Sequence, residues 1–545
     1  MINSKVFITL LLLVFSLFSL PASHYSMISV GDPVLDDLRF LSIEAGRSFT
    51  SFTPPLTPHE VESFLNSLDT SILSTPALSA YNRIRERLTP QRALTLISSD
   101  TFTFNLNMNS NLELRANTNT DIGWYYIYPK VTPLFSWPVN IFFMDSVQLF
   151  IEPMITLSPR FYFSDNDAFI FNTGSFTYFD YDWSMMPFRA YIAMGGSFWN
   201  FQLGRDRLTY GTGHMGNMVI SDNPDYYEFF RLSFFSENFK YSMLINQMPM
   251  DIRRGYHNLD PLNDELDRTM QRHYYLHRLD FNFRNKFSLA LMEGVMVGNS
   301  PLEIRFLNPL MIFHSLFSWE NYDHWIPSDK RSMIGSLLSL EANWNIIPSL
   351  SLYSQFVMTE FATGGEVKTN PNQAPNGYGF MAGVNYSHSF NTWASNFFFE
   401  FTGTSPFLYM KGSPFGTFIH MRYISDNRGE LFTFPGYMRD LYIFTLGGNF
   451  FKDDEINISG ILSLLLNGER NTNYDWEKST AAFNARTPSG TTETKFTASF
   501  SIGYKINTFI NLNASLTGIY SHNNNHQRGT NEFGLQSSLS VGFSY

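Results

Sequence analysis

From about residue 96 onward, apolar and polar side chains alternate with a period of two, broken by short turns and longer polar stretches. Phe102, Phe104, Leu106, Met108, Leu112 and Leu114 alternate with Thr103, Asn105, Asn107, Asn111 and Glu113. Ile510, Leu512, Ala514 and Leu516 stand against Asn511, Asn513, Ser515 and Thr517 in the same way. The chain ends on the same pattern, with Leu539, Val541, Phe543 and Tyr545 set against Ser538, Ser540, Gly542 and Ser544. Such alternation places the apolar side chains on one face of a strand. At the edge of a soluble sheet that strand would be sticky. In an outer-membrane barrel it pairs with the first strand and closes the sheet. Around Asn285-Lys286 two such runs meet in a tight turn. There Asn282, Arg284 and Ser288 should face the lumen, and Phe281, Phe283, Phe287 and Leu289 the lipid. With about 25 residues per strand and connection, the alternating region holds roughly 16 to 20 strands. The polar stretches 366–377 and 467–492 read as extracellular loops.

Upstream the period is helical. Asp36-Asp37-Leu38-Arg39-Phe40-Leu41 begins a short helix with its carboxylates at the favourable N-terminal end. Thr57-Pro58-His59-Glu60 is a capping box with Pro at the first helical position, followed by Val61, Phe64, Leu65 and Leu68 at helical spacing. Ser74 or Thr75 with Pro76 starts another helix through Leu78, Tyr81, Ile84 and Leu88. A bundle this small cannot bury much core alone and must pack on something else. Lys5 and the apolar run 6–20 read as a secretory signal peptide, with small residues for cleavage at Ala22 or Ser23. The predicted organisation is a signal peptide over 1–23, a periplasmic helical domain over 24–95, and a β-barrel over 96–545.

Composition agrees with a membrane wall. Aromatic residues make up 17% of the chain, including 55 Phe and 28 Tyr, which suits lipid-facing strands and interfacial girdles. The net charge of −11 with scattered basic residues predicts no nucleic-acid partner. The absence of cysteine excludes disulfides, thiolate metal sites and lipid attachment at an N-terminal Cys. His273 and His277 are four apart, which suits zinc on a helix, but on a strand they stand roughly 13 Å apart. His314-Ser315, Asp323-His324 and His388-Ser389 lack the partner spacing of a hydrolase. No enzyme, cofactor or metal is expected.

One segment interrupts the alternation. Residues 203–223 hold Gly204, Gly211, Gly213 and Gly216, too many for a strand interior, and predict a loop folded back or into the barrel. Arg205 and Arg207 share the parity of Phe201 and Leu203, and an Arg facing lipid at midplane costs about 2–4 kcal/mol. The strand is therefore expected to leave the hydrocarbon near Gly204, or to bulge there and turn both arginines inward beside Asp206. The glycines do not form a phosphate loop, since the Lys-Ser/Thr ending is missing. Downstream, Arg278 and Asp280 point inward by parity, while Glu293 aligns with Leu289 and Leu291. A buried charge needs a partner, so a lumenal network of Arg278, Asp280, Glu293 and Asn308, with Arg205 within its reach, is expected.

Gly204-Arg205, Tyr210-Gly211-x-Gly213 and Ser221-Asp222-Asn223 together resemble the Wzi family of capsule assembly proteins. That family's pattern runs Gly-Arg, Trp-Gly-Pro-Gly, then Ser-Asp-Asn-Ala; here Tyr210, Thr212 and Pro224 replace its Trp, Pro and Ala. His277-Arg278-Leu279, Glu293 and Asn308-Pro309 resemble its following stations in the same order. The resemblance implies an all-β transmembrane barrel of about 18 antiparallel strands, a small N-terminal α-helical bundle, and lectin-like retention of surface polysaccharide. On this reading Arg205, Asp206, Tyr210, Asn217, Ser221, Asp222 and Asn223 bind carbohydrate or position the loop. The expected setting is the outer membrane, with a monomer inserted by the barrel-assembly machinery through its C-terminal strand. The alternative is a porin or channel for small solutes or amphiphiles, distinguished by an open, conducting lumen.

Overall fold

The computed structural model describes residues 25–88, 94–99, 101–124, 132–144, 146–156, 168–172, 189–224, 226–249, 271–298, 301–313, 334–361, 375–410, 416–425, 428–433, 439–453, 455–470 and 485–545. The expected signal peptide at 1–23 lies outside these residues, as do His314, Ser315, Asp323, His324 and most of the predicted loops at 366–377 and 467–492.

Alternation dominates the structure as it does the sequence. Among the described residues one antiparallel sheet carries 23 strand segments, with a separate hairpin at Ile419–Ser425 and Arg428–Thr433. From Trp199–Asp206 onward each strand pairs with the next, except that Trp393–Thr404 skips the hairpin to pair with Leu441–Lys452. The C-terminal strand Asn531–Ser544 has its outer edge covered by Asn109–Asn117, with Leu539 opposite Leu114 and Val541 opposite Leu112. Prolines help explain why 23 strands appear where 16 to 20 were expected. Pro138 separates Phe135–Ser136 from Val139–Phe143, and Pro153 separates Val147–Glu152 from Met154–Ile155. Proline has no N–H to give the ladder.

The two faces of the sheet are reversed relative to a soluble protein. Leu340, Phe399, Leu446, Leu462, Phe500, Leu539 and Val541 are exposed, whereas Ser339, Glu341, Gln355, Glu400, Thr402 and Thr517 are buried. An apolar outside and a polar inside suit a wall solvated by lipid. No helix among the described residues is long and apolar enough to cross a membrane.

Among the described residues three helices, Val34–Glu44, Pro58–Asn66 and Thr75–Leu88, form where the helical period predicted them. The capping box is complete: Glu60 N–H donates to Thr57 Oγ1 at 3.1 Å and Thr57 N–H to Glu60 Oε2 at 2.9 Å. Leu38, Phe40, Leu41, Val61, Leu65, Ala77, Ala80 and Ile84 pack together with Ala394 and Phe451 of the sheet. The helices are seated at the short-turn end, where Ser48 N–H donates to the Asn285 carbonyl at 2.8 Å and Ser349 N–H to that of Ile43 at 2.8 Å. Between the first two helices, the chain runs along the inner face. Arg231 donates to the Thr53 carbonyl at 3.1 Å, Asn282 to that of Ser48 at 3.0 Å, and Lys240 pairs with Glu60.

Candidate functional site

After Asp206 the chain leaves the sheet, folds across its inner face, and returns as the strand Tyr227–Phe235. The excursion is held open as a narrow hairpin by Tyr210 N–H donating to the Ile220 carbonyl at 3.0 Å. Its glycines answer a steric demand. Gly211 has φ +125°, and a Cβ there would lie 2.4 Å from Asn217 Oδ1. The Asn217 side chain fills the space inside the loop, accepting from Gly213 N–H at 3.0 Å and donating to Thr209 Oγ1 at 2.9 Å.

Apolar side chains set the depth of the loop. Leu208, Tyr210, Met218, Val219 and Ile220 are fully buried against Leu244, Met248, Tyr274, Leu276, Leu337, Val357 and Met381 of the inner face. Inward-facing polar groups satisfy its backbone. Glu400 Oε2 accepts from His214 N–H at 2.8 Å and from the Tyr353 hydroxyl at 2.8 Å, and Glu400 Oε1 accepts from Met215 N–H at 3.3 Å. Gln355 accepts from Met218 N–H and donates to the Tyr210 carbonyl at 3.3 Å. The Tyr409 hydroxyl donates to the Met218 carbonyl at 2.8 Å.

From the other side the loop meets the N-terminal segment. Gly211 N–H donates to the Phe52 carbonyl at 2.9 Å and Thr209 N–H to that of Pro54 at 3.3 Å. His214 lies between Arg39, 2.9 Å from Nδ1, and Asn385 Oδ1, 2.6 Å from Nε2, with its ring stacked on Phe398 at 3.8 Å. Burial, and then the Arg39 cation, hold its pKa well below the usual histidine value. A neutral ring suits both contacts, donating from Nε2–H to Asn385 and accepting from Arg39 at Nδ1.

The predicted residues divide by position. Asp206 is buried on the inner face, where Arg189 donates to it at 2.6 Å and also binds Glu152 and Ser29. Tyr210, Asn217 and Ser221 are buried, and the Ser221 carbonyl accepts from the Tyr227 hydroxyl. Asp222 and Asn223 retain exposure at the loop's return; Asp222 pairs with Arg207 at 2.7 Å, and the Asn223 N–H donates to Ser221 Oγ at 3.2 Å.

Arg205 does not turn inward. The ladder through Gly204 is unbroken, so Arg205 keeps the outward parity, pairs with Glu228 opposite it, and lies 4.1 Å from the Tyr226 ring. No bulge relieves that parity because Gly204, at φ +140°, lets the strands close tightly; a Cβ would be 2.3 Å from the Ala190 carbonyl oxygen.

Arg278 and Asp280 do meet, at 2.7 Å, fully buried. The third member is Glu341, 2.9 Å from Arg278, and not Glu293 or Asn308. Glu293 is on the outer face, accepting from Phe313 N–H, and Asn308 is exposed in the chain that covers it. A cavity of about 10 Å³, room for about one water, lies between Arg278, Asp280, Glu341, Phe52 and Thr212. Sequence reasoning missed Glu341, Gln355, Glu400, Arg39 and Arg189. Glu400 had a visible signal: it is the inward-parity carboxylate inside Phe397-Phe-Phe-Glu-Phe401. Among the described residues no group of His, Asp and Glu is placed to hold a metal ion.

No protein-family model and no curated protein sequence matches the chain. Among solved structures it is similar to Wzi of Escherichia coli, described as an outer membrane protein involved in group 1 capsule assembly and a carbohydrate-binding β-barrel. The TM-score is 0.56 at 13% identity, over 94% of this chain and 99% of that one. Also similar are the outer membrane channel DcaP of Acinetobacter baumannii (TM-score 0.37, 7% identity, 83% and 99% of the two chains) and OccD3 of Pseudomonas aeruginosa (0.40, 8%, 83% and 93%). The inverted faces of the sheet and the likeness to Wzi define the fold as that of an outer-membrane β-barrel.

Proposed function

We propose that this protein is a closed outer-membrane barrel of about 18 strands that binds and retains a surface polysaccharide without chemical catalysis. The carrying observation is the loop 207–224, packed and hydrogen-bonded across the inside of the wall where an open pore would need water. A barrel filled in this way is suited to display and holding, not to bulk diffusion. The helical segment 24–95 closes the periplasmic end, and the protein acts as a monomer inserted through its C-terminal strand. The sequence resemblance at 203–223 and the likeness to a carbohydrate-binding barrel support the reading from two directions.

Within the site, the buried members Asp206, Tyr210, Asn217 and Ser221 position the loop. The half-exposed Asp222 and Asn223, with Arg207, offer hydroxyl-binding acceptors and donors to a sugar. Arg205 and Glu228 form an outward rim pair. Purified protein in detergent, titrated with the producing cell's own surface polysaccharide in an analytical ultracentrifuge, should co-sediment with it. A protein that ignores the polysaccharide yet conducts ions freely in planar bilayers is a channel, and the proposal is then wrong.

A further inference from the structure

Two ionisable side chains stand side by side among apolar neighbours on the lipid-facing surface of the sheet. His277 and Glu293 stand opposite each other on the adjacent strands Gln271–Phe283 and Phe287–Gly298, on the outer face. Their cross-strand neighbours are Met243 on one side and Leu338 on the other, and Leu279, Leu289 and Leu291 continue the same face toward the turn at 284–286. Above them a polar row crosses four strands: Arg205 opposite Glu228, Glu228 opposite Gln247, and Gln247 opposite His273. That row is where the apolar band ends. His277 is four residues below His273, roughly 13 Å along the strand and about 10 Å in depth for a tilted strand. The His277–Glu293 pair thus lies inside the apolar band.

The chain that follows Gly298 covers this pair from outside. Phe306 and Phe313 are fully buried against Ile245, Tyr275, Val295 and Val297. Phe313 packs at a tilt against His277 with ring centroids 4.3 Å apart, and Phe306 likewise against Tyr275 at 4.6 Å. Phe313 N–H donates to Glu293 Oε2 at 2.8 Å, and Glu303 N–H donates to the Tyr275 hydroxyl at 3.0 Å. On its other side the segment exposes Leu310 by 90%, Ile304 by 79%, Ile312 by 64% and Leu302 by 52%. Glu303 and Arg305 pair with each other beside them.

We infer that residues 301–313 form a flap embedded in the outer leaflet, with Leu302, Ile304, Leu310 and Ile312 taking up lipid acyl chains and Glu293 and Tyr275 serving as its docking points. Irregular backbone is tolerated at hydrocarbon depth only where it is buried in protein or lines a water-filled cavity, and this segment packs onto the sheet through the fully buried Phe306 and Phe313. The outward Glu293 and Tyr275 accept from the amides of Phe313 and Glu303. The exposed aliphatic residues continue the apolar surface of the wall, so acyl chains are the occupant that matches them. This inference rests on the membrane-barrel fold and is independent of polysaccharide binding.

The chain has no cysteine, so single cysteines report unambiguously. Leu310→Cys, Ile312→Cys and, in the wall itself, Leu340→Cys are labelled with a fluorophore and reconstituted into phosphatidylcholine vesicles with doxyl-labelled acyl chains. A lipid-embedded flap predicts doxyl quenching at Leu310→Cys and Ile312→Cys within about twofold of Leu340→Cys, and protection from aqueous iodide. Iodide quenching at both flap positions, with doxyl quenching confined to Leu340→Cys, overturns the flap. Doxyl quenching at none of the three overturns the membrane reading and the flap with it. Glu293→Ala in the Leu310→Cys background should lower doxyl quenching at least about twofold by freeing the Phe313 amide. Unchanged quenching there removes Glu293 from the docking role.

Discussion

Glu400→Ala is the sharpest perturbation of the filled interior. The carboxylate accepts from His214 N–H, Met215 N–H and the Tyr353 hydroxyl, all facing the inside of the sheet. Leaving a buried donor without its acceptor costs about 1–3 kcal/mol. Partial rehydration of the half-buried 212–216 tip offsets some of this, leaving on the order of 3 kcal/mol against the closed loop. The apolar anchor is larger: Leu208, Tyr210, Met218, Val219 and Ile220 contribute about 1.5–3 kcal/mol each, roughly 10 kcal/mol together. Glu400→Ala should therefore loosen the tip without ejecting the loop. Since 1.4 kcal/mol is about tenfold in an equilibrium constant, the open population of the tip should rise about 100-fold. The assay is the maleimide labelling rate of Met215→Cys, with and without Glu400→Ala, in detergent-purified protein of unchanged heat-modifiable gel mobility. Labelling that rises less than about threefold would refute the assignment of Glu400 as the latch.

Arg278→Ala should be costly for the whole barrel. It strands Asp280 and Glu341 as buried carboxylates and should lower unfolding stability by about 3–5 kcal/mol, read as a lower urea midpoint. Asp222→Ala with Asn223→Ala should weaken polysaccharide binding at least about tenfold while leaving the urea midpoint unchanged, since neither side chain is in the buried cluster. The His214 pKa is depressed by burial and by Arg39, with Asn385 opposing and Glu400 binding its amide, so the neutral ring belongs to the closed loop. Its stabilising contribution is present above the ordinary histidine pKa and is lost as pH falls below it. Met215→Cys labelling, divided at each pH by that of the urea-unfolded protein to remove the thiolate dependence of the reagent, should rise from pH 7 to pH 5, and His214→Asn should flatten that rise.

Parity carried most of what could be read in advance. It placed Arg278 and Asp280 together on the inner face and flagged Glu293 as standing on the wrong one. It could not supply Glu341 as the third partner, because that contact depends on which strands are neighbours and in what register. Glu293 found its partner in the chain at 301–313, a fold-back that no periodicity announces. The glycines at 211–216 marked a loop, whereas Gly204 did not bring the bulge that was one of its two alternatives. It signalled tight strand contact and not a bulge, so Arg205 stayed on the outer face with Glu228. The helices were legible from caps and spacing. Their attachment through Arg231, Lys240 and Asn282 was not, since those residues looked like ordinary inward-facing polar positions.

Polysaccharide retention by intact cells tests the central claim most directly. A strain lacking this protein, compared with the same strain carrying the intact gene, is assayed for surface polysaccharide on the cells and in the medium. The account predicts normal total synthesis with polysaccharide shifted from cells to medium, restored by the intact chain and not by the Asp222→Ala, Asn223→Ala variant. Unchanged retention in the deletion strain, at normal total polysaccharide, contradicts it.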